Sequence, residues 1–313
     1  MLSITPLDQP FAGEASAIDL SQPLSEEAFA DVLDAWARFP VLVFRDQVLD
    51  EPTQEALARR FGALARSVTP AAEASNAPQN PYVMLVANFA EGDGRPVAPG
   101  EKVGAQSFHS DGCFKDIPSM ASLLYGIEVA KEGGLTQFVD MNRVYRDLPP
   151  AVRARLLGRA GVNYHFGGYS KYNRSGGAAG NGGRSRAEVV ANARHPMVIV
   201  HPLTKKPVVF ACRHNTREIE GIARVEANRI LREIFLTIER PEGIYAHKWR
   251  KGDLLLYDNR AVQHRRTAYA KSEPRMLRRF AALCPEAPQA YREDGRAAES
   301  DSDGREEAVS RVL

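Results

Sequence analysis

Apolar residues recur at helical spacing through "SEEAFADVLDAWARF" (25–39). Ser25 stands where an N-cap is needed and acidic residues fill the first turn, so the pattern predicts a helix. "PVLVFRDQ" follows as a short buried strand, and "EPTQEALARRFGAL" reads as a second amphipathic helix. "YVMLVANF" (82–89) predicts another strand. "SMASLLYGIEVA" and "LTQFVDM" predict two more, separated by "KEGG" as a hairpin-like turn. "NRVYRDLPPAVRARLLG" is helical but broken at its two prolines. "MVIVHP" and "PVVFAC" predict a hairpin around "LTKK", "RVEANRILREIFLTI" a helix, and "EGIYAHKW", "GDLLLYDN" and "RMLRRFAALC" late strands. Many strands with helices at one end and in insertions predict a β-rich α+β domain with covering helices.

Two stretches break the pattern. "AEGDGRPVAPGEKVGA" reads as a loop from its Gly and Pro content. Glycines across 175–183 exclude a stable helix or strand there, so the segment near 167–190 reads as a surface insertion or a mobile lid. The chain from 291 to 313 is densely charged and poor in apolar residues, which predicts a disordered tail. Residues 1–290 are then one catalytic-sized domain.

Composition narrows the class. The 313 residues are 44% hydrophobic and 26% charged, as in ordinary globular chains. A net charge of +2 is too weak to imply nucleic acid or membrane binding. Cys113, Cys212 and Cys284 are scattered and odd in number, which suits a reducing cytosol. "MLSITPLDQP" has no targeting character and no apolar run approaches spanning length, so a cytoplasmic protein is expected. A homo-oligomer is open.

Seven histidines are present, and most of them have ordinary structural roles to fill. His109 differs because Asp111 lies two residues on, in "SFHSDGCF". Residues i and i+2 of an extended chain share a face, so both can reach one ion. Two imidazoles and a carboxylate leave adjacent positions open on the metal, as in non-haem Fe(II) oxygenases. The second histidine has to come from a distant strand. His264, after the buried run and polar turn of "GDLLLYDNRAVQH", is the best candidate.

With these residues assembled, the sequence resembles the TauD/TfdA family of Fe(II)/2-oxoglutarate-dependent dioxygenases. The likeness is densest in "FHSDGCFKDIPSMASLLYGIEVAKEGGLTQFVDM" (108–141) and "YAHKWRKGDLLLYDNRAVQHRRTAYAKSEPRMLRRF" (245–280). It implies a distorted double-stranded β-helix (a cupin-like jelly roll) with the site at its mouth. It implies that His109, Asp111 and His264 bind Fe(II) and are the catalytic set. The family's Gly-Gly-x-Thr element falls on Gly133, Gly134 and Thr136, and its cosubstrate arginine on Arg275. Thr136 and Arg275 would thus bind 2-oxoglutarate, with O2 as the second cosubstrate. The expected outcome is decarboxylation of 2-oxoglutarate to succinate and CO2, coupled to hydroxylation or a related C–H oxidation. Retention of Asp111 favours hydrogen abstraction over halogenation.

Ser67 and Pro70 stand where the taurine branch has a histidine and a tyrosine, and Ala105 near an asparagine of that branch. These departures argue against taurine. "HSDGCF" and "GGLTQFVDM" resemble the aryloxyalkanoate branch more closely. In "RMLRRF", Arg275, Leu277 and Arg279 share one strand face, and Met276 and Arg278 the other. A buried Arg279 needs an anion. The family arginine there contacts the substrate's acidic group, so a small anionic substrate, most simply a carboxylate, is expected; an internal salt bridge is the competing reading. A zinc-type hydrolase on the same ligands and a non-catalytic cupin-like binding protein are the alternatives to an oxygenase.

Overall fold

The computed structural model describes residues 2–67, 80–88, 102–166 and 189–292. The Gly-rich segment, Pro70, most of the loop at 90–105 and the charged tail beyond 292 lie outside the described residues.

The N-terminal hairpin of β1 (Ser3–Pro6) and β2 (Ala12–Ser16) leads into α1 (Glu26–Arg38) and β3 (Val41–Phe44). Ser25 caps α1, its hydroxyl accepting from the Ala28 N–H at 3.1 Å. Asp50 does the same for α2 (Glu51–Arg59) through the Thr53 N–H at 2.8 Å. Then come β4 (Met84–Ala87), the short β5 (Lys102–Val103), β6 (Ser119–Glu128) and β7 (Thr136–Asp140). The two prolines divide α3 (Met141–Asp147) from α4 (Pro150–Leu156). β8 (Ala160–Phe166), β9 (Val189–Pro196), the hairpin β10 (Val198–Val200) and β11 (Pro207–Val209), and β12 (Thr216–Ile219) follow. Helix α5 (Arg224–Ile238) precedes β13 (Ile244–His247), β14 (Leu254–Asp258), β15 (Val262–Arg266), β16 (Tyr269–Ala270) and β17 (Met276–Leu283).

The largest sheet runs β1-β2-β3-β14-β6-β17-β4, antiparallel except where β2 meets β3. A smaller sheet, β13-β7-β15, lies across from it. Alternation along β14 shows why two layers form. Leu254 and Leu256 pack with Phe29, Val32 and Trp36 of α1 on the outer face. Leu255 and Tyr257 pack inward with Leu124 of β6, Leu277 of β17, and Phe138, Tyr245 and Val262 of the smaller sheet. A third core joins Val139 on the outside of the smaller sheet to Ile230, Leu231 and Ile234 of α5. Inward positions of both sheets therefore enclose one interior, and the functional residues stand in it.

The "KEGG" turn is not a hairpin. β6 pairs with β14 and β17, whereas β7 pairs with β13 and β15 in the other sheet. β6 is buried along most of its length and needs neighbours on both edges, so the chain leaves the large sheet. Gly133 (φ +71°) and Gly134 (φ +62°) carry it across in the left-handed region that glycine tolerates. His264 lies inside β15, and the polar turn precedes it.

Candidate metal centre

His109 and His264 form an isolated antiparallel bridge, and their ring centres lie 4.3 Å apart. Asp111 follows on the turn after His109. One ligand atom from each of His109, Asp111 and His264 lies within 4.8 Å of the others. His109 Nε2 and His264 Nε2 are each 3.7 Å from an Asp111 carboxylate oxygen. His109 Nδ1 donates to the Ser107 carbonyl at 3.0 Å. A carbonyl only accepts, so this bond fixes the tautomer and leaves the Nε2 lone pair for a metal.

The "YDNRAVQH" stretch builds this corner. Asn259 grips the Asp111 backbone from both sides, accepting from its N–H at 2.7 Å and donating to its carbonyl at 2.9 Å. Its amide also reaches the Ser119 carbonyl at 2.8 Å. Asp258 ties Arg260 and His201 at 2.6 and 3.0 Å, anchoring the turn. Gln263 donates to the Ala211 carbonyl at 2.6 Å. Each polar residue of this turn thus has a fixed partner. None of these roles was assigned from the sequence, because apart from the Asp258–Arg260 pair the partners are remote in the chain.

The electrostatics suit a cation. Burial would raise the Asp111 carboxyl, but the Arg279 guanidinium, with His264 and His109 beside it, holds it well below the usual carboxylate range. Burial, and then His109, push His264 down to about 3 despite Asp111, so near neutral pH its imidazole carries a free lone pair. Two imidazole nitrogens and one ionised carboxylate fit a divalent first-row metal. Tyr257 closes the corner, its hydroxyl 3.4 Å from both Asp111 Oδ2 and His264 Nε2.

Arg279 points inward, as the strand alternation requires. Its Nη1 donates to Asp111 Oδ2 in a short ion pair. The internal salt bridge is therefore present, and it is made to one of the three clustered residues. Arg279 Nε is buried with no partner among the described residues. Arg278 points the other way, donating to Gln54 Oε1 and the Leu49 carbonyl, both at 2.7 Å.

Arg275 is 2% exposed. Its backbone N–H donates to Asn88 Oδ1 at 2.9 Å, and its Nε to the Gly134 carbonyl at 3.2 Å. A Cβ on Gly134 would stand 3.1 Å from the Arg275 Cδ and Nε, so the glycine makes room for this side chain. Burial pulls the guanidinium down to about 10, still charged at neutral pH. Its Nη1 has no partner among the described residues. Two residues from Gly134, Thr136 is buried and its Oγ1 accepts from Trp249 Nε1 at 2.9 Å. The remaining buried histidines are structural: His195 meets the Lys115 carbonyl, His201 Asp258 and His247 Asp253.

Known proteins match most of the chain. The family profile "Taurine catabolism dioxygenase TauD, TfdA family" matches residues 3–281. The alpha-ketoglutarate-dependent 2,4-dichlorophenoxyacetate dioxygenase of Burkholderia sp. (strain RASC) is 29% identical over 284 residues, 87% of this chain and 91% of the relative. The (S)-phenoxypropionate/alpha-ketoglutarate-dioxygenase of Sphingobium herbicidovorans is 28% identical over 279 residues, 88% of this chain and 92% of the relative. The crystal structure of AAD-2 in complex with Mn(II) and N-oxalylglycine superposes with a TM-score of 0.70 at 25% identity, covering 92% of this chain and 99% of that one. With the family profile spanning nearly all of the described fold, the chain belongs to the TauD/TfdA dioxygenase family.

Proposed function

We propose that this protein is a 2-oxoglutarate-dependent dioxygenase that oxidises a small organic anion, with His109, Asp111 and His264 holding Fe(II). The observation that carries the reading is the convergence of that ligand set with Arg275, a buried cation whose Nη1 has no partner among the described residues. A buried guanidinium without a counter-ion is costly unless an anion meets it. The far carboxylate of 2-oxoglutarate supplies one, with the planar fork of Arg275 and the Thr136 hydroxyl as its donors. The hydrolase alternative gives Arg275 and Thr136 no task, and the intact ligand set argues against a non-catalytic binding protein. The Mn(II) and N-oxalylglycine in the AAD-2 structure are chemical stand-ins for Fe(II) and 2-oxoglutarate, in keeping with this assignment.

His109, Asp111 and His264 would hold Fe(II), which would supply the redox chemistry that couples decarboxylation of 2-oxoglutarate with O2 to oxidation of a substrate C–H bond. The chain's residues position and shield. Asn259 fixes Asp111, and Tyr257 and Phe138 wall the inner side of His264. Arg279, beside the ligand set and with an unsatisfied Nε, is the anchor for the substrate's acidic group. Metal at Asp111 would share that carboxylate's charge and release part of the guanidinium to the incoming anion. Phenoxyacetate and phenoxypropionate, named in two relatives, are carboxylates of this kind. The two facing sheets with an enclosed polar site support the finer reading of the fold as a distorted double-stranded β-helix.

The test is succinate formation from 2-oxoglutarate with Fe(II), ascorbate and oxygen, across a panel of small carboxylates and their neutral amides. Stimulation by carboxylates alone is expected. No succinate with any anion, by protein shown to bind Fe(II), would overturn the reading.

A further inference from the structure

Trp249 has no place among the expected site residues, yet its indole N–H reaches Thr136 Oγ1 at 2.9 Å in a buried setting. An indole nitrogen can only donate, and a hydroxyl has one hydrogen and two lone pairs. By accepting from Trp249, Thr136 commits a lone pair and loses rotational freedom. Its own hydrogen is left for an acceptor elsewhere, and no acceptor among the described residues takes it. Thr136 is 3% exposed, so water is a poor substitute.

The indole itself is held in place. A Cβ at Gly126 would come within 3.3 Å of Trp249 Cε3, so only glycine in β6 leaves the ring this seat. His247 meets the ring edge-on, at 4.7 Å and 88°. His247 is fixed in turn by Asp253 at 3.0 Å and by the Tyr245 hydroxyl at 3.2 Å, and Arg45 holds Asp253 at 2.6 Å. Register places Thr136 opposite His247 across β7 and β13, so one sheet aligns donor and hydroxyl.

We propose that Trp249 is a positioning residue for the cosubstrate. Its N–H orients the Thr136 hydroxyl so that the hydroxyl hydrogen is presented to the carboxylate held by Arg275. This rests on the 2-oxoglutarate reading given above. Preorganising a donor removes the cost of orienting it at binding. Trp249 therefore acts on cosubstrate affinity without touching the cosubstrate or the metal.

The experiment is anaerobic calorimetry of 2-oxoglutarate binding to the metal-loaded full chain, with Fe(II) affinity measured separately. Four proteins are compared with the parent: Trp249→Phe, 3-benzothienylalanine at position 249, Thr136→Val, and the Trp249→Phe/Thr136→Val pair. The benzothiophene keeps the ring outline and removes only the N–H, so it stays informative if Trp249→Phe fails to fold. Each change at 249 should weaken 2-oxoglutarate about 3- to 10-fold, and Thr136→Val roughly 5- to 150-fold as a lost hydrogen bond to a carboxylate. Fe(II) affinity should be unchanged. The pair should be no weaker than Thr136→Val alone, because both changes remove one interaction. Parental 2-oxoglutarate affinity in the benzothienyl protein, or losses that add in the pair, would overturn the role of Trp249 while leaving the cosubstrate site standing. Parental affinity in both Thr136→Val and a fifth protein, Arg275→Ala, measured in the same way, would remove the cosubstrate site and this role together.

Discussion

His109 and His264 exchange both backbone hydrogen bonds, each N–H reaching the other's carbonyl at 3.0 Å. Two residues so paired sit directly opposite each other in an antiparallel ladder. The spacing of the two imidazoles is therefore fixed by strand register and not by the path of a loop. Asp111 is added by the turn that follows, and the Asn259 side chain holds that turn to the end of β14. A site whose ligands are set by backbone pairing binds metal without first ordering its ligands.

Asn259→Ala should therefore damage metal binding without removing a ligand. Three hydrogen bonds are lost, and the freed Asp111 and Ser119 groups are left poorly solvated. A destabilisation of about 2–4 kcal/mol is expected. Loosening a group that orients a ligand costs about 10- to 100-fold in metal affinity. Denaturant melts and a competitive metal titration measure the two effects. Unchanged metal affinity would show that Asp111 is held by other means.

The same corner shows what the sequence could disclose. The ligand pair and the distal histidine were readable because His-x-Asp and "DNRAVQH" place chemistry at short spacings. Helix α1 was readable from amphipathic spacing and its Ser25 cap, and α5 from amphipathic spacing alone, because these signals are local. The partners of Asn259 and Gln263, and the His201 that meets Asp258, were not, since they lie across the fold. The destination of "KEGG" was not readable either. Two glycines in the left-handed region serve a hairpin or a crossover equally well, and the choice is made by which edges of β6 need covering. Trp249 was passed over because a buried tryptophan looks like core until its N–H is traced to Thr136.

Arg275 and Gly134 make a matched test of the cosubstrate pocket. Arg275→Ala should raise the KM for 2-oxoglutarate by roughly 30-fold to several thousand-fold, the 2–5 kcal/mol of a broken buried charge pair. Thr136→Ala should cost less, about 1–3 kcal/mol. Gly134→Ala keeps the guanidinium but puts a methyl group 3.1 Å from its Cδ and Nε, at φ +62°. It should raise the same KM with Arg275 intact. Steady-state kinetics in 2-oxoglutarate decides, and a Gly134→Ala enzyme with parental KM would mean that Arg275 is not aimed by this contact.

Arg279 carries two partners in prospect, Asp111 and the substrate. Arg279→Gln removes a cation beside the metal ligands, so Fe(II) affinity should hold or rise. Binding of 2-oxoglutarate should be nearly intact. The substrate KM should rise strongly, by roughly 30-fold or more if a buried charge pair is lost. Once a substrate is found, normal kcat/KM in this variant would rule out the anchor.

Acid should unfold the metal-free protein through its buried histidines before its carboxylates. Burial and the neighbouring His109 push His264 from 6.5 down to about 3. Burial likewise lowers His247 and His195. Each is neutral in the fold but takes up a proton in the unfolded chain below its ordinary value of 6.5. The unfolded state then binds more protons, so stability is full above that value and falls as the pH drops towards the folded values. For each such group the slope is at most about 1.4 kcal/mol per pH unit. Asp111 and Asp258 act in the same direction but lower. Arg279 and Arg260 hold their carboxyls down against burial, so their contribution is full above 3.8 and is lost only as the pH falls further. Chemical denaturation in EDTA from about pH 8 to about pH 4.5 should show stability falling first through the histidine range. His264→Leu should flatten that fall by the share of one group. An unchanged slope in this variant would mean that His264 is not the buried neutral imidazole that a metal ligand has to be.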